Sequence, residues 1–512
     1  MMTPPVAVKA TRRDWIGLAV IALPCMLYSM DLTVLNLAVP ALSADLAPSS
    51  SQLLWIIDIY GFMVAGLLIT MGTLGDRIGR RRLLLIGAAA FGAASALAAF
   101  STSAEMLIVL RAVLGIAGAT LAPSTLSLIR NMFEDAGERT AAIGLWVSSY
   151  SVGAAIGPVV GGVVLEYSWW GAVFLINVPL MALLLVLGPL LLPEFRDPDA
   201  RRLDLVSATL SLIAVLATIY GLKHIAEHGF GWRPAIFLLV GLVVGAVFVR
   251  RQRGLTDPLI DLKLFRLPTF SASLGVYSLG CLVLFGVSIF IAQYLQLVLG
   301  LSPLQAGLWT VPWALAFVVG SMLTPMLVRR FDPARVVASG LVVAAAGFVM
   351  MTQLGSSAGA LAMITTTTIL SLGLAPVFTL ATDLVVGAAQ PQRAGAASAI
   401  SETCAEFGGA LGIALFGSIG IATYRAAMSD AALGEIPAHA IESARSTLGA
   451  AALIAEQLPD AAGMRLLQVA REAFVQGMQV SAAVGAVVML AAALLAWNGL
   501  RASHPQRAAS TL

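Results

Sequence analysis

The sequence predicts an all-α membrane protein of fourteen transmembrane helices. Three observations lead there: its composition, the length of its apolar runs, and the places where its positive charges fall. Hydrophobic residues make up 59% of the 512 and charged residues only 11%. A soluble domain carries about 25% charged residues, so water-soluble domains built from this chain would have to expose their apolar runs. No metal or cofactor spacing is present, and no nucleic-acid partner is expected. Cys25, Cys281 and Cys404 all fall within apolar runs and read as small packing residues.

A helix that crosses a 30 Å hydrocarbon core needs about 20 residues. Apolar stretches of that length occupy 15–39, 51–73, 83–101, 105–129, 140–165, 171–193, 205–223, 234–250, 269–299, 304–328, 334–355, 359–388, 394–424 and 473–499. The first is too long for the apolar region of a signal peptide and reads as a retained span. Cytoplasmic loops concentrate Lys and Arg. With the amino terminus inside, 23 of the 30 Lys and Arg fall in inside segments, six fall outside, and Arg111 lies within the fourth span. Both termini of this multi-pass protein are therefore expected in the cytoplasm. Between the last two spans, residues 425–472 are Ala-rich and interrupted by Pro437 and Pro459, which predicts an external hairpin of two short amphipathic helices.

Charged and small residues inside the spans mark candidate functional positions. A buried arginine costs about 2.5–3.5 kcal/mol on insertion scales, so Arg111 needs a partner, and Asp31 in span one reaches a similar depth. Asp58 in span two lies at a comparable outer depth. In span thirteen Glu402 and Glu406 are four apart, which stacks both carboxylates on one helical face. Two ionised acids there repel and the apolar surroundings penalise charge, so at least one is expected to hold a proton near neutral pH. An organic cation can displace such a proton. Tyr60, Trp146, Trp309, Trp313 and Phe317 are candidate cation–π partners. Asp383, near the inner end of span twelve, is a weaker candidate for an interface or lid. No phosphate-binding loop or nucleophile elbow appears, which favours ion-gradient coupling over ATP hydrolysis and a transporter over an enzyme.

The order of residues in four segments is more specific. Loop 2–3 reads GTLGDRIGRRR and contains Gly72, Asp76, Arg77, Gly79 and Arg80. It resembles the loop signature of the major facilitator superfamily, with a faint echo at LVRRFDPAR from Leu327 to Arg335. Span five carries Gly153, Gly157, Pro158, Gly161 and Gly162, a string similar to the antiporter motif of drug exporters in that superfamily. Span four, around Arg111, and the end of span one, MDLTVLNLAVP, complete the set. Together they resemble fourteen-span drug:proton antiporters, especially quaternary-ammonium efflux pumps of the Qac and Smv type.

That resemblance implies two pseudo-symmetric six-helix bundles, 1–193 and 269–512, with an inserted helix pair in 194–268 outside the core. It implies export of lipophilic cations (quaternary ammonium antiseptics, dyes, biguanides) in exchange for protons by alternating access, with membrane lipids as surroundings and a monomer as the working unit. Asp31, Asp58, Arg111, Glu402 and Glu406 would carry proton coupling. Asp31, the two glutamates and the five aromatics would form the substrate site, and the loop 2–3 and span-five residues would govern conformation. Some pumps of this type have a further acid in the tenth span; Trp309 to Phe317 has none. The alternative reading is export of an endogenous metabolite such as a siderophore or amino acid.

Overall fold

A computed structural model describes residues 9–501 apart from 47, 49, 197–203, 229–230, 256–257, 302, 357, 391–393, 431–435 and 446. Within the helices, several side chains, those of Asp58 and Pro158 among them, also lie outside the described residues.

Every regular element among the described residues is helical. The first part of the chain forms α1 (Arg12–Leu46), α2 (Ser50–Ile78), α3 (Arg80–Ala99), α4 (Ala104–Gly118), α5 (Leu121–Met132), α6 (Ala136–Tyr167), the single turn α7 (Ala172–Leu175) and α8 (Asn177–Leu191). The pair α9 (Leu205–His228) and α10 (Trp232–Gly254) follows. Then come α11 (Pro268–Gln293) with a π-helical turn at Tyr294–Val298, α12 (Pro303–Arg330), α13 (Pro333–Met351), α14 (Ala360–Ala388), α15 (Ala394–Asp430), α16 (Ala438–Ala444), α17 (Leu448–Ala455) and α18 (Asp460–Arg501). Thirteen helical segments among the described residues are long and apolar enough to cross a bilayer. Helix α6, 32 residues long, fills the remaining place among the fourteen apolar stretches.

Local chemistry sets the helix starts. Ser103 accepts from Met106 N at the head of α4, Asp135 from Glu138 N at α6, and Asp332 from Ala334 N at α13. Each satisfies one of the backbone donors that a helix start leaves open. Between α2 and α3 the chain turns at Gly79 with φ of 110°, a conformation that a side chain would strain.

Helix α1 runs along α6, and α11 packs against α15 and α18. A Cβ on Gly153 would overlap the carbonyl of Met26, so that glycine sets how closely α1 and α6 approach. A Cβ on Gly162 would meet nothing within 4 Å. Between the first and last groups of helices, α6 meets α12 and α2 meets α15. The pair α9 and α10 packs unequally. α10 is largely exposed, but α9 packs on both α2 and α15. Phe62 and Ala65 of α2, Val215 and Ile219 of α9, and Ala410 of α15 form one small apolar cluster there.

The segment between α15 and α18 does contain two short helices, α16 and α17. The flanking helices, however, run further than expected, to Asp430 and from Asp460, so the hairpin is shorter than 425–472. Helix α17 (LGAAALIA) carries no charge and is not amphipathic. Burial explains this: Ile436, Ala440, Ala444, Leu448 and Ala451 join the main core, and the Tyr424 hydroxyl donates to Ala444 O at 2.8 Å.

Candidate functional site

Two groups of charge, one buried and one half-buried, and one seam define the interior. In the first group, Arg111 Nη1 lies 2.6 Å from Asp31 Oδ2, and both side chains are buried, at 1% and 6% exposure. Arg111 also donates from Nε to Ile56 O at 3.1 Å and from Nη2 to Ile57 O at 3.4 Å. The guanidinium stands 4.7 Å over the Tyr60 ring. Asn177 donates to Asp31 Oδ1 at 3.4 Å and to Ser95 Oγ at 3.2 Å. A buried ion pair survives desolvation only when its remaining donors and acceptors are satisfied, and these contacts supply that.

The second group surrounds the α15 acids. Tyr28 of α1 donates its hydroxyl to Glu406 Oε1 at 3.0 Å, and Tyr277 of α11 donates to Glu402 Oε1 at 3.5 Å. Glu406 is the thirteenth residue of α15, about 18 Å along its axis from the arginine-loop end. The two groups touch through aromatic rings. Tyr28 packs on Tyr60 with centroids 5.8 Å apart, and on Tyr150 at 5.9 Å; Tyr150 meets Trp146 edge-on at 4.9 Å. A continuous path therefore runs Asp31, Arg111, Tyr60, Tyr28, Glu406. On the far side, Tyr277 packs on Phe378 at 5.2 Å, which packs on Phe317 at 5.8 Å.

The aromatics named from sequence separate accordingly. Tyr60 lies within the path, engaged by Arg111. Trp146 is 2% exposed, its Nε1 donating to Thr125 Oγ1 at 3.0 Å, so it backs Tyr150 rather than facing a carboxylate. Phe317 stands two rings behind Glu402. Trp313 is partly buried, with its carbonyl accepting from Ser371 at 2.9 Å, while Trp309 is 37% exposed and outside the ring network just described. The Asp58 side chain lies outside the described residues. Sequence reasoning missed Tyr28, Tyr150, Tyr277 and Asn177. Tyrosines on apolar helices carry no spacing signal; the uncommon Asn inside FLINVP was the one available hint.

The seam joins the helix ends beside the arginine loop. Asp76 of α2 is held by Arg80 Nη2 at 2.7 Å, and it accepts from Gly395 N at 3.3 Å and Ala396 N at 3.1 Å, the open donors at the start of α15. Arg77 ends α2. A Cβ on Gly72 would come within 2.5 Å of Gly395 O. Across the bundle, Arg139 of α6 pairs with Asp383 of α14 at 2.7 Å, and the Thr140 hydroxyl donates to the other Asp383 oxygen at 2.7 Å. Glu194 caps α3, accepting from Arg81 N and Arg82 N at 3.1 Å each. From the chain after α10, Leu259 and Ile260 enter a buried cluster with Ile69 of α2 and Ile400 of α15. Gln252 accepts from Leu259 N at 2.8 Å, and the Thr73 hydroxyl donates to Leu259 O at 3.4 Å. Among the described residues no group of three His, Cys, Asp or Glu is placed to hold a metal ion.

A many-span helical bundle with acids and an arginine paired deep inside it is the architecture of a membrane transporter. The chain belongs to the Major Facilitator Superfamily, whose profile matches residues 21–413. It is 44% identical over 489 residues to the multidrug efflux pump LfrA of Mycolicibacterium smegmatis, covering 96% of this chain and 97% of that one. It is 34% identical to the methyl viologen resistance protein SmvA of Salmonella typhimurium (95% and 98% covered), and 32% identical to the tetracenomycin C resistance and export protein of Streptomyces glaucescens (97% and 93% covered). The same fold occurs in the human organic anion transporter MFSD10, with a TM-score of 0.59 at 13% identity, covering 96% of this chain and all of that one.

Proposed function

We propose that this protein is a proton-coupled exporter of lipophilic cations in a bacterial inner membrane, working by alternating access between bundles 1–193 and 269–512. The names of its relatives, a multidrug efflux pump and a methyl viologen resistance protein, support drug export. The observation that carries the coupling is the path from Asp31 and Arg111 through Tyr60 and Tyr28 to Glu406.

A carboxylate deprived of water needs a positive partner, and a proton or an organic cation can each serve. Glu402 and Glu406 sit one turn apart under tyrosine rings and hydroxyls, a site that takes a flat or quaternary cation by charge and cation–π contact. When the cation binds, a proton leaves; when protons return from outside by way of Asp31 and Asp58, the cation is expelled. A proton on Asp31 would remove the partner of Arg111 and leave the guanidinium to the Tyr60 ring and the carbonyls of Ile56 and Ile57. The seam at the arginine loop, with both bundles in contact there, is the arrangement expected of the outward-facing half of the cycle. Helix α9, seated across α2 and α15, would slide on one of them as the bundles rock.

The test is drug-driven proton release from proteoliposomes with Asp31→Asn and Glu406→Gln. Both single variants should bind the cation weakly or release no proton. Normal coupling in both overturns the assignment.

A further inference from the structure

One feature of the bundle plays no part in that cycle. Helices α12 and α13 each pack along α14 yet barely touch one another. The α13–α14 crossing is tight, because a Cβ on Gly340 would come within 2.5 Å of Gly373 O. The result is a crevice of about 420 Å³ between α12 and α13, floored by Leu372, Gly373 and Pro376 of α14. Its walls are apolar: Leu327 and Phe331 on one side, Val343 on the other, all exposed on the outer face of the bundle.

Two polar residues line it. Ser339 turns its hydroxyl back onto Val336 O at 3.0 Å, which leaves Arg335 as the charged group at the mouth. Arg335 is exposed and forms no ion pair among the described residues. Arg329 and Arg330 end α12 next to it, and Asp332, at the turn between α12 and α13, accepts from Ala334 N in capping α13. From Arg335 to Val343 the lined face of α13 runs about 12 Å along its axis, from the loop level towards the membrane centre.

We propose that this crevice binds an anionic phospholipid, its acyl chain lying against Phe331, Val343 and Leu372 and its phosphate paired with Arg335. The apolar walls fit a chain, and positive charge at the mouth selects a phosphate over a cation. A lipophilic cation of the exported class would be repelled at the same place.

The test uses the full-length protein purified in detergent and examined by native mass spectrometry with phosphatidylglycerol or phosphatidylcholine of identical chains. Phosphatidylglycerol adducts should outlast phosphatidylcholine adducts. Arg335→Gln should weaken phosphatidylglycerol retention about fivefold and phosphatidylcholine less, because the choline cation already offsets that lipid's phosphate, whereas Val343→Trp, which fills the crevice, should weaken both. Both side chains are exposed, so the folded yield should be unaffected, and the melting temperature checks it. Equal retention of the two lipids by wild type, unchanged phosphatidylglycerol binding by Arg335→Gln, or unchanged binding by Val343→Trp would each overturn the site. So would displacement of the lipid by tetraphenylphosphonium in wild type.

Discussion

The ion pair between Arg139 and Asp383 links α6 to α14, and thus the helices before α9 to those after α10, at the arginine-loop end of the molecule. Its geometry is close and its side chains are 14% and 10% exposed, so the pair is largely withdrawn from water. Asp383→Asn removes the charge and leaves the guanidinium half-desolvated beside a neutral amide. Breaking a fully buried pair costs about 3–5 kcal/mol. The residual exposure, and the hydrogen bond that the amide oxygen can still accept, reduce this to about 2–3 kcal/mol. In alternating access that cost falls only on the state in which the two ends touch, so the equilibrium should shift by about 30- to 150-fold towards opening of this end. The readout is the distance between spin labels at Glu134→Cys and Gln390→Cys, both exposed positions on opposite bundles near the pair. The variant should add a longer distance at the expense of the short one, and Arg139→Gln combined with Asp383→Asn should shift the populations no further than either alone. An unchanged distribution in Asp383→Asn would refute the view that this contact belongs to one state of the cycle.

Four further outcomes follow from the same geometry. Gly72→Ala drives a methyl into the Gly395 carbonyl across the α2–α15 seam, so the label pair should lengthen while the melting temperature changes little. Gly153→Ala instead overlaps Met26 O between α1 and α6 and should destabilise the protein by about 1–3 kcal/mol. Gly162→Ala meets nothing within 4 Å and should leave the melting temperature unchanged. Leu259→Ala empties a 2% exposed position in the seam cluster. It should weaken closure of that end by about 2–4 kcal/mol, visible as the same lengthened distance; no change would mean that the segment after α10 rests on the seam without holding it.

Much of the fold was legible because a bilayer imposes rules that one residue's neighbours in sequence can report. A helix must be about 20 residues long and apolar to span, so fourteen stretches could be read directly. Charge cannot rest unpaired in hydrocarbon, so Arg111, Asp31, Glu402 and Glu406 stood out by type alone. The hairpin helices were found, but their character was misjudged. α17 reads as surface, yet its Leu448 and Ala451 enter the main core, beside the turn where the Tyr424 hydroxyl reaches Ala444 O.

The sequence by itself determined that this chain spans a membrane many times and which few ionisable groups lie within it, since both follow from composition and local spacing. Only the tertiary structure decided which of those groups meet. That Tyr28, 378 residues from Glu406, supplies its hydrogen bond depends on how helices far apart in the chain pack. So does the engagement of Trp146 with Thr125 and Tyr150, and so does the seating of α9 across α2 and α15. A side chain's partner inside a bundle is fixed by helix rotation and crossing, and those are set by the summed packing of every neighbouring helix.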